Sequence, residues 1–131
     1  MAIIRNIDVP FWGDSVQHAV IAQLMVEHGG LFESWMPYTQ FDTLTIHFGF
    51  HSLIALLKWT IGGDIAYLTL LAGQLVNMAA VLLLYPLTTH LTNNRWSGIA
   101  TLFIAGLWLN LPAFYVNWGR YPQLAGQAIL P

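Results

Sequence analysis

The chain has 131 residues, 56% apolar and only 8% charged. Four Lys+Arg and six Asp+Glu cannot clothe a soluble domain, whose surface draws on roughly 25% charged residues, so the composition points to membrane residence. The cations are scattered at Arg5, Lys58, Arg95 and Arg120, which excludes a basic nucleic-acid surface, and the lack of cysteine excludes a disulfide framework, a thiolate metal site and a cysteine nucleophile.

Residues 1–13 read as irregular, with Pro10 and Gly13 breaking any regular element. Asp14-Ser15-Val16-Gln17 has the form of a capping box, with Asp14 as N-cap. It predicts a surface helix over 15–28, closed by Gly29-Gly30. Gln17, His18, Gln23, Glu27 and His28 do not gather on one face, so this helix is too polar to span and packs on protein at the membrane surface. Residues 31–42 form a loop whose Trp35, Pro37 and Tyr38 suggest interfacial depth. The stretch 43–61 is apolar, yet holds His47, His51 and Lys58 at spacings that share one helical face. Such a stripe predicts a partly embedded or re-entrant helix, or a spanning helix lining a cavity.

Gly62-Gly63 ends that helix, and Asp64 can cap the next. From Ile65 to Tyr85 there is no charged side chain, and about 20 such residues are what a helix needs to cross roughly 30 Å of hydrocarbon. A transmembrane helix is expected over 65–91, with Tyr67 and Tyr85 at its interfaces. A polar turn, Thr92-Asn93-Asn94-Arg95, leads to a second transmembrane helix over 96–116, antiparallel to the first. Its small-residue stripe Ser97, Thr101 and Ala105 suits a similar face formed by Gly73, Asn77 and Ala80. Asn110 and Pro112 kink its end; Pro122 suits the first position of a further helix, leaving Arg120 just outside the helix start. Residues 124–131 begin an apolar segment too short to span. The expected fold is therefore all-α: a fragment of a polytopic integral membrane protein, with a transmembrane helical hairpin plus surface and partly embedded helices in one incomplete domain.

Three groups could carry chemistry. Asp14 is a fixed carboxylate, whether it only caps a helix or also acts as general base or metal ligand. Arg120 beside a helix start is either a phosphate receptor or an arginine reaching to headgroups. His47 and His51 form an HxxxH pair, but Phe48 replaces the glutamate of an HExxH site and no third ligand is near in sequence. No metal site is assigned; hydrogen bonding or cavity lining is the expected role.

In order and content these features resemble the N-terminal part of the GT-C membrane glycosyltransferases, the superfamily of the protein O-mannosyltransferases, the lipid A aminoarabinose transferase and the oligosaccharyltransferase catalytic subunits. The resemblance is carried by Phe11-Trp12-Gly13-Asp14-Ser15 before a surface helix and by Tyr38-Thr39-Gln40-Phe41 before an embedded one. It continues with the long helix that ends in the polar turn at Leu84–Arg95, and with a second external loop at Asn117–Gln123. It implies a multi-pass cell-membrane enzyme that moves a sugar from a polyprenyl-phosphate donor, partnered by the bilayer and by the rest of a polytopic chain. It implies Asp14 as general base, with a divalent cation beside it left open, and Arg120, Tyr121, Gln123, His47 and His51 as substrate-binding residues. The hairpin would return Asp14 and Arg120 to one side of the membrane. Only 13 residues precede Asp14, where the relatives have a first transmembrane helix; Asp14-Ser15 stands where many have Asp-Glu or Asp-Asp; and the second loop has no acidic pair. The competing readings are a transporter or channel segment, with His47, His51, Gln74 and Asn77 along a polar path, and a non-catalytic structural membrane subunit.

Overall fold

The computed structural model describes residues 12–40, 42 and 47–129. These residues are organised as α1 (Trp12–His28), α2 (Gly49–Ile61), α3 (Ile65–Thr92), α4 (Arg95–Phe103), a π-helical segment (Ile104–Trp108), α5 (Ala113–Asn117) and α6 (Tyr121–Ile129). Among the described residues there is no strand. The chain divides into two compact units, Met1–Ala72 and Gly73–Pro131, with α3 running through the division.

In the first unit α1 already includes Trp12 and Gly13, so Asp14 sits inside the first turn and is not the N-cap that the sequence predicts. A carboxylate there still faces the positive end of the helix dipole. Residues 1–11 of the expected irregular stretch lie outside the described residues, as do Phe11 and Phe41 of the motifs above. At the other end Gly29 takes φ 70°. Gly30 N–H donates to the Met25 carbonyl at 2.9 Å and Gly29 N–H to that of Val26 at 3.3 Å, the paired bonds of a Schellman stop.

That stop turns the loop back on its own helix. Phe32 and Trp35 are buried with Ile21, Leu24, Met25 and Ala55, and the two rings meet edge-on with centroids 5.7 Å apart. Trp35 therefore fills a protein core and is not the interfacial anchor expected of it. Tyr38 stays exposed and donates to Glu27 Oε1 at 3.2 Å. Desolvation first, then the Glu27 carboxylate as acceptor and as charge, push its phenol above the ordinary value.

Helix α2 starts at Gly49 and has 13 residues. At 1.5 Å per residue it is about 20 Å long, short of the hydrocarbon thickness. Residues 43–46 of the helix expected from 43 lie outside the described residues, and His47 and Phe48 precede α2. Its buried face is Phe50, His51, Ile54 and Ala55, while Leu53, Leu56, Trp59 and Ile61 are exposed. The polar stripe predicted for His47, His51 and Lys58 is not formed. His47 is off the helix and exposed, His51 is buried, and the Lys58 ammonium donates to the Gly63 carbonyl. Asp64 caps α3 as expected, its Oδ1 accepting from Tyr67 N–H at 3.0 Å.

In the second unit the turn after α3 uses Asn93 at φ 51°, a left-handed position that asparagine tolerates. Asn94 then caps α4, its Oδ1 accepting from Trp96 N–H at 2.9 Å. Helix α4 packs back along α3. A Cβ on Gly98 would overlap Thr89 Oγ1 and stand 2.9 Å from the Tyr85 carbonyl oxygen, and one on Gly106 would stand 3.4 Å from Val81 Cγ1. Ser97 and Thr101 are half-buried and Ala105 buried, with Gly98 at the closest point of the contact. The second predicted span is interrupted where Asn110 and Pro112 suggested: the π segment ends at Trp108, and α5 resumes only at Ala113. Both α3 and the stretch Arg95–Asn117 are long and apolar enough to cross a membrane.

Candidate functional site

The packing of α1 on α2 joins two imidazoles that lie 33 residues apart in sequence. His18 Nδ1 and His51 Nε2 are 2.8 Å apart, a hydrogen bond, and the ring centroids are 4.9 Å apart. Phe50 meets the His18 ring edge-on at 6.1 Å. Ser15 and Ala22, on the same side of α1 at helical spacing from His18, are fully buried. The second histidine predicted for this site, His47, is not part of the pair. The pairing partner is His18, which the sequence placed on a surface helix without assigning it a role.

His51 is 1% exposed. Burial first, then the neighbouring His18 charge, hold its pKa down at about 4, with the His47 backbone working in the opposite direction. His51 is thus neutral at physiological pH, because an imidazolium there would lose its hydration. Its Nδ1 makes no hydrogen bond of good geometry, although the His47 backbone is the polar group that acts on the ring. Asp14 lies one helical turn before His18, exposed in the first turn of α1. That D-x-x-x-H spacing, which puts both side chains on one face, was the signal in the sequence that could have drawn attention to His18.

Arg120, Tyr121 and Gln123 belong to the second unit, at the start of α6. Gly119 at φ 74° closes α5, with Arg120 N–H donating to the Tyr115 carbonyl at 2.8 Å and Gly119 N–H to that of Val116 at 3.2 Å. Arg120 precedes α6 as expected, although Tyr121 and not Pro122 is the first helical residue. The Arg120 guanidinium stacks over Trp118, 4.6 Å from the ring centre, in a cation–π contact. Tyr121 is fully buried, and a Cβ on Gly73 would stand 2.7 Å from its Cδ1. Gln123 is exposed. Nearby, Ala80, Leu84, Ala105, Leu109, Pro112 and Tyr115 line much of a cavity of about 320 Å³.

Among the described residues no group of three or more His, Asp or Glu could hold a metal ion. Among those residues, no such group includes Asp14, beside which the resemblance leaves a cation open. The histidine nitrogens themselves sit at the separation of a shared hydrogen, whereas two nitrogens about 2.0–2.1 Å from one tetrahedral ion stand farther apart.

These features define an all-helical protein with two helices fit in length and composition for a bilayer and a histidine pair between two shorter ones. No protein family, curated protein or solved structure matches the chain.

Proposed function

We propose that the chain is part of a multi-pass membrane glycosyltransferase that transfers a sugar from a polyprenyl-phosphate donor to an acceptor hydroxyl, in the cell membrane. The observation that carries the membrane half is how little protein covers the two apolar helices. Only 33% of the most apolar window of α3 and 17% of that in Arg95–Asn117 are buried, and Leu107 and Trp108 are 81% and 86% exposed. The core helix of a soluble protein would be mostly covered; hydrocarbon supplies the missing contact here.

The transferase half is supported by the resemblance and by the order of the elements along the chain. A carboxylate in the first turn of a helix is followed by a short helix, two candidate spans, and an arginine immediately before a helix start. In the transfer step the acceptor oxygen bonds the anomeric carbon while its proton passes to a base, and the bond to phosphate breaks with its electron pair leaving on the phosphate. Asp14 is the base or the charge that supports it, and Arg120 at the start of α6 receives the phosphate. Tyr121, buried against Gly73, acts by holding α6 in place. Gln123 and His47 are exposed groups open to substrate, and His51 acts from inside the α1–α2 contact.

The test is transfer from a radiolabelled short-chain prenyl-phosphate sugar by the full-length protein in vesicles. Asp14→Ala is expected to lower turnover by about 10²-fold or more while the protein stays folded, and Arg120→Ala to weaken donor binding. Near-normal turnover by Asp14→Ala removes that residue from the chemistry. A protein that moves no sugar but passes small polar solutes belongs to the transporter class instead.

A further inference from the structure

We infer that the cavity of the second unit is a water-filled pocket at membrane depth, which admits small neutral hydrogen-bonding molecules and excludes ions. It rests on the membrane half of the reading above and is independent of the transferase half. Helix α3 has 28 residues, about 42 Å at 1.5 Å per residue. Ala80 is the sixteenth of them, about 2 Å from the midpoint, and Leu84 is about 8 Å from it. Both line the cavity. With α3 centred across roughly 30 Å of hydrocarbon, the cavity stands inside the apolar layer. The opposite wall stops at a similar depth, because the nine residues of α4 and the five of the π segment make only about 20 Å of helix.

Beyond them the backbone is irregular. Leu109 is extended, with ψ 140°, and α5 begins only at Ala113. Leu109 N–H reaches the Ile104 carbonyl, and the carbonyls of Asn110 and Pro112 accept from Phe114 and Tyr115 N–H. The Asn110 and Leu111 N–H groups and the Leu109 and Leu111 carbonyls have no backbone partner among the described residues. Irregular backbone persists at membrane depth only where protein buries it or water reaches it. Within this chain protein does not bury it, since Leu109 and Leu111 are 54% and 50% exposed.

The cavity lies against this break, with Leu109, Leu111 and Pro112 in its wall. Tyr115 and Gln127 also line it, and their side chains form no hydrogen bond with another described residue. On α3, Asn77 Oδ1 is buried without a hydrogen-bond partner one turn before Ala80, a polar atom of the kind that internal water satisfies. At about 320 Å³ the cavity far exceeds the roughly 30 Å³ share of one water. None of its described lining residues is Asp, Glu, Lys, Arg or His, so an ion inside would find no counter-charge. A neutral molecule bearing hydroxyl or amide groups would find partners in Tyr115, Gln127 and the unpaired peptide groups.

The chain has no cysteine, so single introduced cysteines report on the pocket. A thiol in hydrocarbon stays protonated and inert, whereas in water its thiolate attacks methanethiosulfonates. The full-length protein in lipid vesicles carries, one at a time, Ala80→Cys or Ala105→Cys in the pocket wall, Leu107→Cys on the exposed apolar face, or His90→Cys near the end of α3. Circular dichroism checks that each variant is folded. The probes are hydroxyethyl methanethiosulfonate, which is neutral, and its cationic trimethylammonium-ethyl counterpart. Both pocket cysteines are expected to react with the neutral probe within about tenfold of the His90→Cys rate, and Leu107→Cys about 10²-fold more slowly. The cationic probe should be disfavoured in the pocket by about tenfold or more relative to His90→Cys. Inert cysteines at both pocket positions, beside a reactive His90→Cys and an inert Leu107→Cys, would overturn the water-filled pocket and leave the membrane reading standing. Fast reaction at Leu107→Cys would overturn the membrane reading, and the depth of the pocket with it. The same preference between the two probes in the pocket as at His90→Cys would overturn the exclusion of ions.

Discussion

Helices α1 and α2 meet through side chains. Ile21, Leu24, Met25 and Ala55 are buried with the returning loop, and a histidine bond crosses beside them. Helices α3 and α4 meet where a side chain is missing, since even one carbon on Gly98 would run into Tyr85 and Thr89. The difference follows from what each contact has to draw on. In the first, removing large apolar groups from water supplies the energy, and the polar bond selects the register. In the second, a glycine lets the backbones approach closely, the kind of contact by which helices also pair where burial of apolar surface offers no gain.

Four measurements test that contrast, taken in order of expected size. Trp35→Ala should cost the first unit about 3–5 kcal/mol, because it empties the core the loop closes over. It is read by denaturant unfolding followed by the loss of helical circular dichroism, and a loss under about 1 kcal/mol would mean the loop does not seal α1. Acidification should come next. The folded pKa of His51, about 4, lies below the ordinary 6.5, so the unfolded chain takes up its proton first. The neutral ring's contribution is complete above pH 6.5, falls away as pH drops toward 4, and is gone below it. The whole effect is on the order of 3 kcal/mol. His51→Leu should flatten unfolding free energy across that window; an equally steep slope in the variant would assign the dependence to other groups.

Gly98→Val should weaken the α3–α4 contact by about 1–3 kcal/mol. Gly106→Ala, whose new carbon meets Val81 at ordinary contact distance, should be close to neutral. The two are compared by thermal unfolding in micelles, and equal effects would show that close approach at Gly98 is not what holds the pair. Smallest is Asn94→Ala, which removes the acceptor for Trp96 N–H and should cost about 1 kcal/mol at the start of α4.

What could be read from the sequence was what depends on neighbours along the chain. Asp64 before an uncharged run gave both the cap and the long helix, Asn110 and Pro112 gave the interruption, and Pro122, one residue late, gave an arginine outside a helix start. What failed was whatever depended on where a helix begins or on contact across the fold. His47 and His51 share a face only if the helix already includes His47, and α2 starts two residues after it. Asp14 reads as a cap only if α1 starts after it, and the helix includes the two residues before. The partner of His51 lies on another helix, 33 residues away, a distance at which periodicity carries no information. Trp35 was ambiguous for a related reason. An aromatic ring in a loop suits a bilayer interface and a core equally well until the turn at Gly29-Gly30 directs it inward.

The π-helical segment has a consequence for the face that α4 presents. Leu109 N–H reaches back five residues to the Ile104 carbonyl at 2.8 Å, so one turn holds an additional residue. Each residue advances a helix by about 100°, so the widened turn displaces its own residues around the axis relative to an unbroken α-helix. The buried row that includes Gly98 and Ala105 is not continued by Leu107 and Trp108, which are exposed. At Leu109 the backbone is already extended, and α5 begins only at Ala113. The widened turn is thus the last turn of this helix, and the row against α3 ends with it.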